Sequence, residues 1–155
     1  MNVPETYSVK IEKMTLEHLD EVMEIEKLSY TTPWSREAFV TEVQDNDFAK
    51  YFVALQHSVV IGYAGMWIIL DESHVTTIAV HPDFRKQGLG RLLMTTLMKE
   101  AIVLGADRIT LEVRPSNTSA RSLYNSLGFK PVGVRKGYYT DNNEDAIIMW
   151  KSLRS

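Results

Sequence analysis

The feature that most constrains the fold of this chain is a glycine turn at residues 85–90, with the sequence RKQGLG. It joins a strand-like apolar run at residues 77–80 to a helix-like apolar run at residues 91–94. Glycine adopts left-handed backbone angles and leaves main-chain amides open to a ligand. A helix that begins here directs unpaired N–H groups and the positive end of its dipole at the turn. The pattern therefore predicts a strand–turn–helix unit whose turn binds an anion such as a diphosphate.

Two familiar nucleotide-binding loops do not match the glycine turn. The P-loop ends in Gly-Lys-Ser/Thr, which places a lysine on the outer phosphates and a hydroxyl on magnesium, whereas Arg91 and Leu92 follow Gly90 here. The dinucleotide fingerprint needs a third glycine three residues after the second, where this chain has Leu93. A plain strand-to-helix loop with solvated basic side chains stays open as the alternative.

Length and composition favour one compact domain over residues 1–155. The chain is 45% hydrophobic and 24% charged, and its net charge of -3 argues against a general nucleic-acid binder. Because it has no cysteine, disulfides, thiolate metal sites and a cysteine nucleophile are excluded. The first residues lack a basic-then-apolar signal and no apolar run is long enough to span a bilayer. We expect a cytoplasmic protein with no membrane partner.

Hydrophobic periodicity predicts the remaining elements. Strands are predicted at residues 7–14, 51–55, 59–70, 75–80, 108–113, 129–135 and 146–151. Helices are predicted at residues 16–28, after the cap residue Ser35, at residues 89–104 before Gly105, and from the cap residue Asn117 to Leu127. The three strands between residues 51 and 80 should form an antiparallel meander. This order predicts an α/β or α+β sheet with helices on its faces.

Three side chains are candidates for chemistry. Glu112 lies on the opposite strand face from its apolar neighbours, near the strand end where ligands collect, although a solvated strand carboxylate is the alternative. Tyr124 shares a helical face with apolar residues, which fits a core tyrosine or a proton donor whose hydroxyl reaches a cleft. Glu26 returns to the apolar face of the first helix, so it should be paired or line a cleft. The histidines show no metal-ligand spacing, and we assign them no role.

These features together resemble the GNAT acetyltransferases, the Gcn5-related family that moves acetyl from acetyl-CoA to an amine. The glycine turn matches the diphosphate motif of that family. The blocks at residues 111–129 and 138–149 are similar to the RimI type, which acetylates the N-terminal alanine of a small-subunit ribosomal protein. The resemblance implies a mixed, mostly antiparallel central sheet of about six to seven strands, covered by about four helices.

The resemblance also implies roles for single residues. Glu112 would be the general base and Tyr124 would protonate the departing thiolate. Glu26, Tyr138 and Tyr139 would border the acceptor. The backbone at residues 78–80 would pair with the pantetheine arm like an added strand. The full set implied for acetyl-CoA is Ile78, Ala79, Val80, Arg85, Lys86, Gln87, Gly88, Leu89, Gly90, Arg91 and Asn117, with no metal.

Without a cysteine, we expect direct acetyl transfer to a protein N-terminus, such as that of a ribosomal protein, by a monomer or weak dimer. Two alternatives remain open from the sequence. One is a GNAT enzyme that acts on another amine, such as a lysine side chain, a polyamine or a small molecule. The other is an acetyl-CoA-binding sensor without catalytic activity.

Overall fold

The structure is a computed structural model that describes residues 8–154. These residues form seven strands and four α-helices. The strands are β1 (Lys10–Lys13), β2 (Ala49–Gln56), β3 (Val59–Ile69), β4 (Glu72–Val80), β5 (Arg108–Val113), β6 (Lys130–Arg135) and β7 (Ala146–Ser152). The helices are α1 (Leu19–Ser29), α2 (Arg36–Gln44), α3 (Leu89–Val103) and α4 (Thr118–Ser126).

All seven strands belong to one sheet, in the order β1-β2-β3-β4-β5-β7-β6. Strands β1 to β4 pair as an antiparallel meander, and β7 pairs antiparallel with both β5 and β6. Only the pairing of β4 with β5, among the described strands, is parallel. The predicted mixed, mostly antiparallel sheet with four helices is therefore confirmed.

The parallel pair of β4 and β5 opens along its length. It is paired from Glu72 opposite Arg108 to His74 opposite Thr110. Beyond these positions the described residues of β4 and β5 are not paired with each other, although β4 continues to Val80 and β5 to Val113. The result is a wedge-shaped opening in the middle of the sheet, which we call the β4–β5 wedge.

The sheet carries a helical layer on each face. Along β2, Tyr51 and Val53 pack with buried residues of α1 and α2, whereas Phe52 and Ala54 pack with buried residues of α3. This alternation follows from the period of two in a strand, which sends successive side chains to opposite faces. Tyr124 of α4 packs on the α3 side, so α3 and α4 cover one face while α1 and α2 cover the other.

The predicted caps are present. The Ser35 hydroxyl accepts a hydrogen bond from the Ala38 amide at 3.1 Å, and the Asn117 side-chain oxygen accepts one from the Ala120 amide at 3.1 Å. Gly105 follows α3 with a left-handed φ of +94°. A helix N-terminus leaves amides without intrahelical partners, and these side-chain oxygens satisfy one amide at each helix.

Some boundaries differ from the sequence predictions. β4 begins at Glu72 rather than at Val75, because its first residues are needed to pair with β5. The predicted first helix begins as a 3-10 turn, Leu16–His18, before the α-helix starts. The beginning of the first predicted strand, at Tyr7, lies outside the described residues. No helix within residues 8–154 is both long and apolar enough to cross a bilayer.

Candidate active site

The glycine turn has the backbone shape of an anion site. Lys86 and Gly88 have left-handed φ angles of +64° and +82°, and α3 begins immediately afterwards at Leu89. Left-handed residues that alternate with ordinary ones curve successive N–H groups around a concave space. The first amides of α3 add their unpaired N–H groups to that space. The space around Gly88 is open, since a Cβ built there would meet no atom within 4 Å.

The second glycine of the turn has an additional reason to be glycine. A Cβ on Gly90 would lie 3.2 Å from Cδ2 of Leu123 in α4. That distance is tighter than ordinary van der Waals contact, so glycine at this position lets α3 and α4 pack closely. The sequence pattern did not indicate this requirement, because the two helices are far apart in the chain.

The basic residues of the turn contact the protein itself. Nε of Arg85 donates to the Val80 carbonyl at 3.1 Å, and its Nη2 lies 3.4 Å from the Ser29 hydroxyl. Nη2 of Arg91 donates to the Ser126 hydroxyl at 2.7 Å. These contacts fasten the turn to β4, α1 and α4. Contact of either guanidinium with a phosphate stays a prediction.

The residues predicted to pair with the pantetheine arm lie along the β4–β5 wedge. Ile78, Ala79 and Val80 belong to the part of β4 that has no partner in β5. The Ile78 carbonyl accepts a hydrogen bond from the Tyr30 hydroxyl at 2.6 Å, and the Val80 carbonyl accepts the one from Arg85. A ligand that donates hydrogen bonds to these two carbonyls must therefore share them with Tyr30 and Arg85 or displace those side chains.

Glu112 enters the site from β5. Its neighbours Leu111 and Val113 face the core, so the alternation predicted for this strand is confirmed. The Glu112 side chain is 10% exposed, and its Oε2 lies 2.6 Å from Nε2 of His74 on β4. Its Oε1 lies 3.8 Å from Nε of Arg135 on β6. Glu112 is thus a largely buried carboxylate with one hydrogen-bond partner, His74, and one ion-pair partner, Arg135, among the described residues.

Tyr124 is a buried phenol on α4. Its residue is 6% exposed, and its ring packs against Phe129 with centroids 5.9 Å apart. Burial raises the pKa of Tyr124, and the nearby hydroxyls of Tyr30 and Tyr139 raise that pKa further. A phenol with a raised pKa keeps its proton at neutral pH, which is the state a proton donor needs.

Tyr138 and Tyr139 lie side by side in the loop before β7, within electrostatic range of Glu112. Their rings meet edge to face with centroids 5.0 Å apart. Burial raises the pKa of both tyrosines, that of Tyr139 to about 12, and the charge of Glu112 contributes to each increase. Tyr139 acts in turn on the pKa of Tyr124. Tyr139 therefore lies within electrostatic range of both predicted catalytic residues, Glu112 and Tyr124.

An arginine that we did not single out from the sequence holds the loop that carries these tyrosines. The Arg114 guanidinium binds Asp141 at 2.9 Å and Glu144 at 3.2 Å, and it lies over the Tyr139 ring at 3.9 Å. Asp141 also accepts a hydrogen bond from the Thr31 hydroxyl at 2.5 Å. Two loops, one after α1 and one before β7, are thereby joined next to the site.

Glu26 is paired, as its position on the apolar helix face predicted. It is 2% exposed; one carboxylate oxygen accepts from the Trp34 amide at 2.9 Å and the other from the Tyr63 hydroxyl. Burial raises the pKa of Glu26, and these two hydrogen bonds oppose the increase. Both oxygens serve to hold α1, the α1–α2 loop and β3 together. Contact of Glu26 with an acceptor stays a prediction.

Two of the remaining histidines act within local turns. Nδ1 of His18 accepts from the Thr15 amide at 2.9 Å, and Nδ1 of His81 accepts from the Asp83 amide at 3.1 Å. In the part of the chain that the structure describes, no group of three histidine, aspartate or glutamate side chains is arranged to hold a metal ion. His74 is the histidine that the sequence interpretation missed, because its contact with Glu112 depends on the β4–β5 register.

Comparison with known proteins matches the chain to one family. Residues 19–129 match the family model described as "Acetyltransferase (GNAT) family". A Bacillus subtilis (strain 168) protein, provisionally named a ribosomal protein bS18-alanine N-acetyltransferase, is 42% identical over 143 residues, which are 92% of this chain and 95% of the relative. The Escherichia coli (strain K12) ribosomal protein bS18-alanine N-acetyltransferase is 40% identical over 129 residues, covering 81% of this chain and 84% of the relative.

A solved structure agrees with the sequence relatives. The crystal structure of the ribosomal-protein-S18-alanine N-acetyltransferase from Escherichia coli superposes with a TM-score of 0.87 at 35% sequence identity. The superposition covers 95% of each chain. Sequence and fold are thus similar over nearly the same part of the molecule.

Proposed function

Because the chain belongs to the GNAT family and is an acetyl-CoA-dependent acetyltransferase, we propose that its acceptor is the N-terminal alanine of ribosomal protein bS18. The observation that supports this acceptor is the similarity to two relatives named for that reaction. One is 42% identical over 92% of the chain and the other is 40% identical over 81% of it. A ribosomal protein as acceptor places the reaction in the cytoplasm.

The chain's residues fit acetyl-CoA at two places. The left-handed angles at Lys86 and Gly88 and the open space at Gly88 suit a diphosphate held by the amides at residues 86–91. The β4–β5 wedge suits an extended arm beside residues 78–80. Acetyl-CoA supplies an acetyl group already activated as a thioester. Asn117 uses its side-chain oxygen to cap α4, which leaves its contact with the coenzyme as a prediction.

Glu112 is the proposed general base for the acceptor amine. An α-ammonium has a pKa of about 7.7 to 8.0, so much of the peptide must lose a proton before its nitrogen attacks. Among residues 8–154, Oε1 of Glu112 has only the 3.8 Å contact with Arg135, so it remains available to take that proton directly or through one water. The N–C bond then forms as the C–S bond breaks, and the second proton lost from the nitrogen makes up for the one that Tyr124 gives to the sulfur.

Tyr124 is the proposed general acid for the leaving group. Its hydroxyl keeps its proton because burial raises its pKa, and it gives that proton to the thiolate as the C–S bond breaks. Since the chain has no cysteine, transfer to the amine is direct and needs no acyl-cysteine. Tyr138 and Tyr139 would line the acceptor side, because the charge of Glu112 acts on both phenols.

The glycine turn gives the first testable prediction. Gly88→Ala should weaken acetyl-CoA binding about tenfold, which corresponds to about 1.4 kcal/mol. Alanine in the left-handed region costs about 1 to 2 kcal/mol, so the turn relaxes and its amides no longer converge. Isothermal titration calorimetry with acetyl-CoA measures the change.

Gly105→Ala is the matched control for that experiment. Gly105 ends the same helix with a φ of +94°, and a Cβ there would also meet no atom within 4 Å. Both variants should unfold at lower temperatures than the wild type, because both strain the backbone. Only Gly88→Ala should lose affinity, and equal affinities for the two variants would remove Gly88 from the coenzyme site.

A peptide panel tests the proposed acceptor. The wild-type enzyme should acetylate a peptide with the alanine-initiated N-terminus of bS18 faster than the same peptide begun with serine, glycine or leucine. Mass spectrometry should place the acetyl group on the terminal nitrogen, with one thiol released per acetyl transferred. Transfer to a lysine of an N-terminally blocked peptide, or to spermidine alone, would contradict the proposal. Acetyl-CoA binding without thiol release on any acceptor would instead indicate a sensor.

A further inference from the structure

We propose that His74 is a positioning residue that orients the Glu112 carboxylate toward the acceptor amine. The inference rests on the proposed function, in which Glu112 is the base. His74 belongs to β4 and Glu112 to β5, so their contact crosses the only described parallel pair of the sheet. The two residues are 38 positions apart in the chain, so only the pairing of β4 with β5 brings them together.

The contact assigns different tasks to the two oxygens of Glu112. An ionised carboxylate only accepts hydrogen bonds, so the 2.6 Å contact requires Nε2 of His74 to carry the hydrogen. Oε2 is thus occupied by a short, charge-assisted bond. Oε1 stays available to the amine. A base that is itself held by a third group is a recurring arrangement in enzymes that activate a nucleophile.

The His74 ring is itself supported from the other side. Trp67 of β3 packs edge to face on it, with ring centroids 6.3 Å apart. Nε1 of Trp67 donates to both carboxylate oxygens of Glu42 in α2 at 3.1 Å. Contacts with α2, β3 and β5 therefore fix the position of the His74 ring on β4. Its Nε2 consequently points toward Glu112.

His74 also competes with a cation for the carboxylate. Arg135 lies 3.8 Å from Oε1 of Glu112, and its side chain is 58% exposed and therefore adaptable. If the bond to His74 is removed, the carboxylate, which is 10% exposed, keeps only this one close cation among the described residues. We expect it to rotate into a closer ion pair with Arg135, away from the acceptor amine.

His74→Phe tests this role, because phenylalanine keeps a ring against Trp67 and removes the hydrogen-bond donor. It should lower kcat for the alanine-initiated peptide about 10- to 100-fold, the effect of misplacing a catalytic group by a fraction of an ångström to about 1 Å. The acetyl-CoA affinity should not change. His74→Gln restores an N–H donor, and its kcat should lie within about threefold of the wild type.

The matched control is His57→Asn. His57 is exposed in the β2–β3 turn with a φ of +51°, which asparagine accepts. This variant should keep the wild-type kcat. Thermal unfolding of all three variants shows whether a loss of activity comes from loss of the fold.

A double-mutant cycle with Glu112→Gln separates orientation from general structural damage. If His74 acts through Glu112, His74→Phe should have no further effect in an enzyme that already carries Glu112→Gln. A wild-type kcat for His74→Phe, or an equal loss in both backgrounds, would overturn the inference. A wild-type enzyme that does not acetylate the peptide contradicts the proposed function instead, so the two failures are distinguishable.

Discussion

Tyr124→Phe should lower kcat for acetyl transfer about 100- to 1000-fold, the contribution expected of a general acid. Its affinity for acetyl-CoA should stay within about twofold of the wild type, because the proton is needed only as the thiolate develops. The substitution removes one oxygen atom and leaves the ring against Phe129. Steady-state kinetics with the alanine-initiated peptide, together with calorimetric titration of acetyl-CoA, separates these two quantities.

The size of the Tyr124 effect follows from its burial. The residue is 6% exposed, so little solvent reaches the site to replace the missing proton donor. Burial also raises the pKa of the phenol, so its proton is present throughout the pH range in which the amine becomes neutral. The loss of kcat should therefore persist between pH 7 and about pH 9.

Tyr51→Phe is the matched control for Tyr124→Phe. Tyr51 is 6% exposed and packs with the α1 and α2 layer, on the opposite face of the sheet from Tyr124. Its hydroxyl contacts the Thr76 hydroxyl at 2.7 Å, so the variant loses a hydrogen bond and some stability. Its kcat should be unchanged. An unchanged kcat in Tyr124→Phe as well would remove Tyr124 from the role of general acid.

Glu112→Gln should lower kcat/KM about tenfold at pH 7, and the loss should shrink as the pH rises toward 9. The reason is that hydroxide removes the proton from the acceptor at high pH, so a base on the enzyme is no longer needed. With an amine pKa of about 7.7 to 8.0, the neutral fraction rises about tenfold per pH unit below that value and is nearly complete at pH 9. Glutamine keeps the size of the side chain and an oxygen that accepts from His74.

Glu72→Gln is the control for the charge change. Glu72 forms an ion pair with Arg108 at the paired end of β4 and β5, and its side chain is 42% exposed. This variant should show the wild-type pH profile. The assignment of Glu112 as the base would fail if Glu112→Gln followed the wild-type profile at every pH. It would fail too if its loss of activity were the same at pH 7 and pH 9.

Much of the architecture is predictable from local rules. The β5 strand has the predicted bounds, Arg108–Val113, because an alternation of period two is visible without any knowledge of neighbours. The helix starts at Ser35 and Asn117 are predictable because a cap bonds to amides only two or three residues away. Gly88 belongs to the same class, since its left-handed angle is required by the turn that contains it. Interactions between residues so close in the chain can be predicted from the local sequence.

The sequence by itself therefore determined the order of the elements, the glycine turn and the faces on which Glu112, Tyr124 and Glu26 lie. Only the tertiary structure decided which groups meet. The bond between His74 and Glu112 joins residues 38 positions apart, and the bond between Thr31 and Asp141 joins residues 110 positions apart. Periodicity specifies which way a side chain points but not which strand lies beside it or in what register, because pairing follows from packing of the whole sheet.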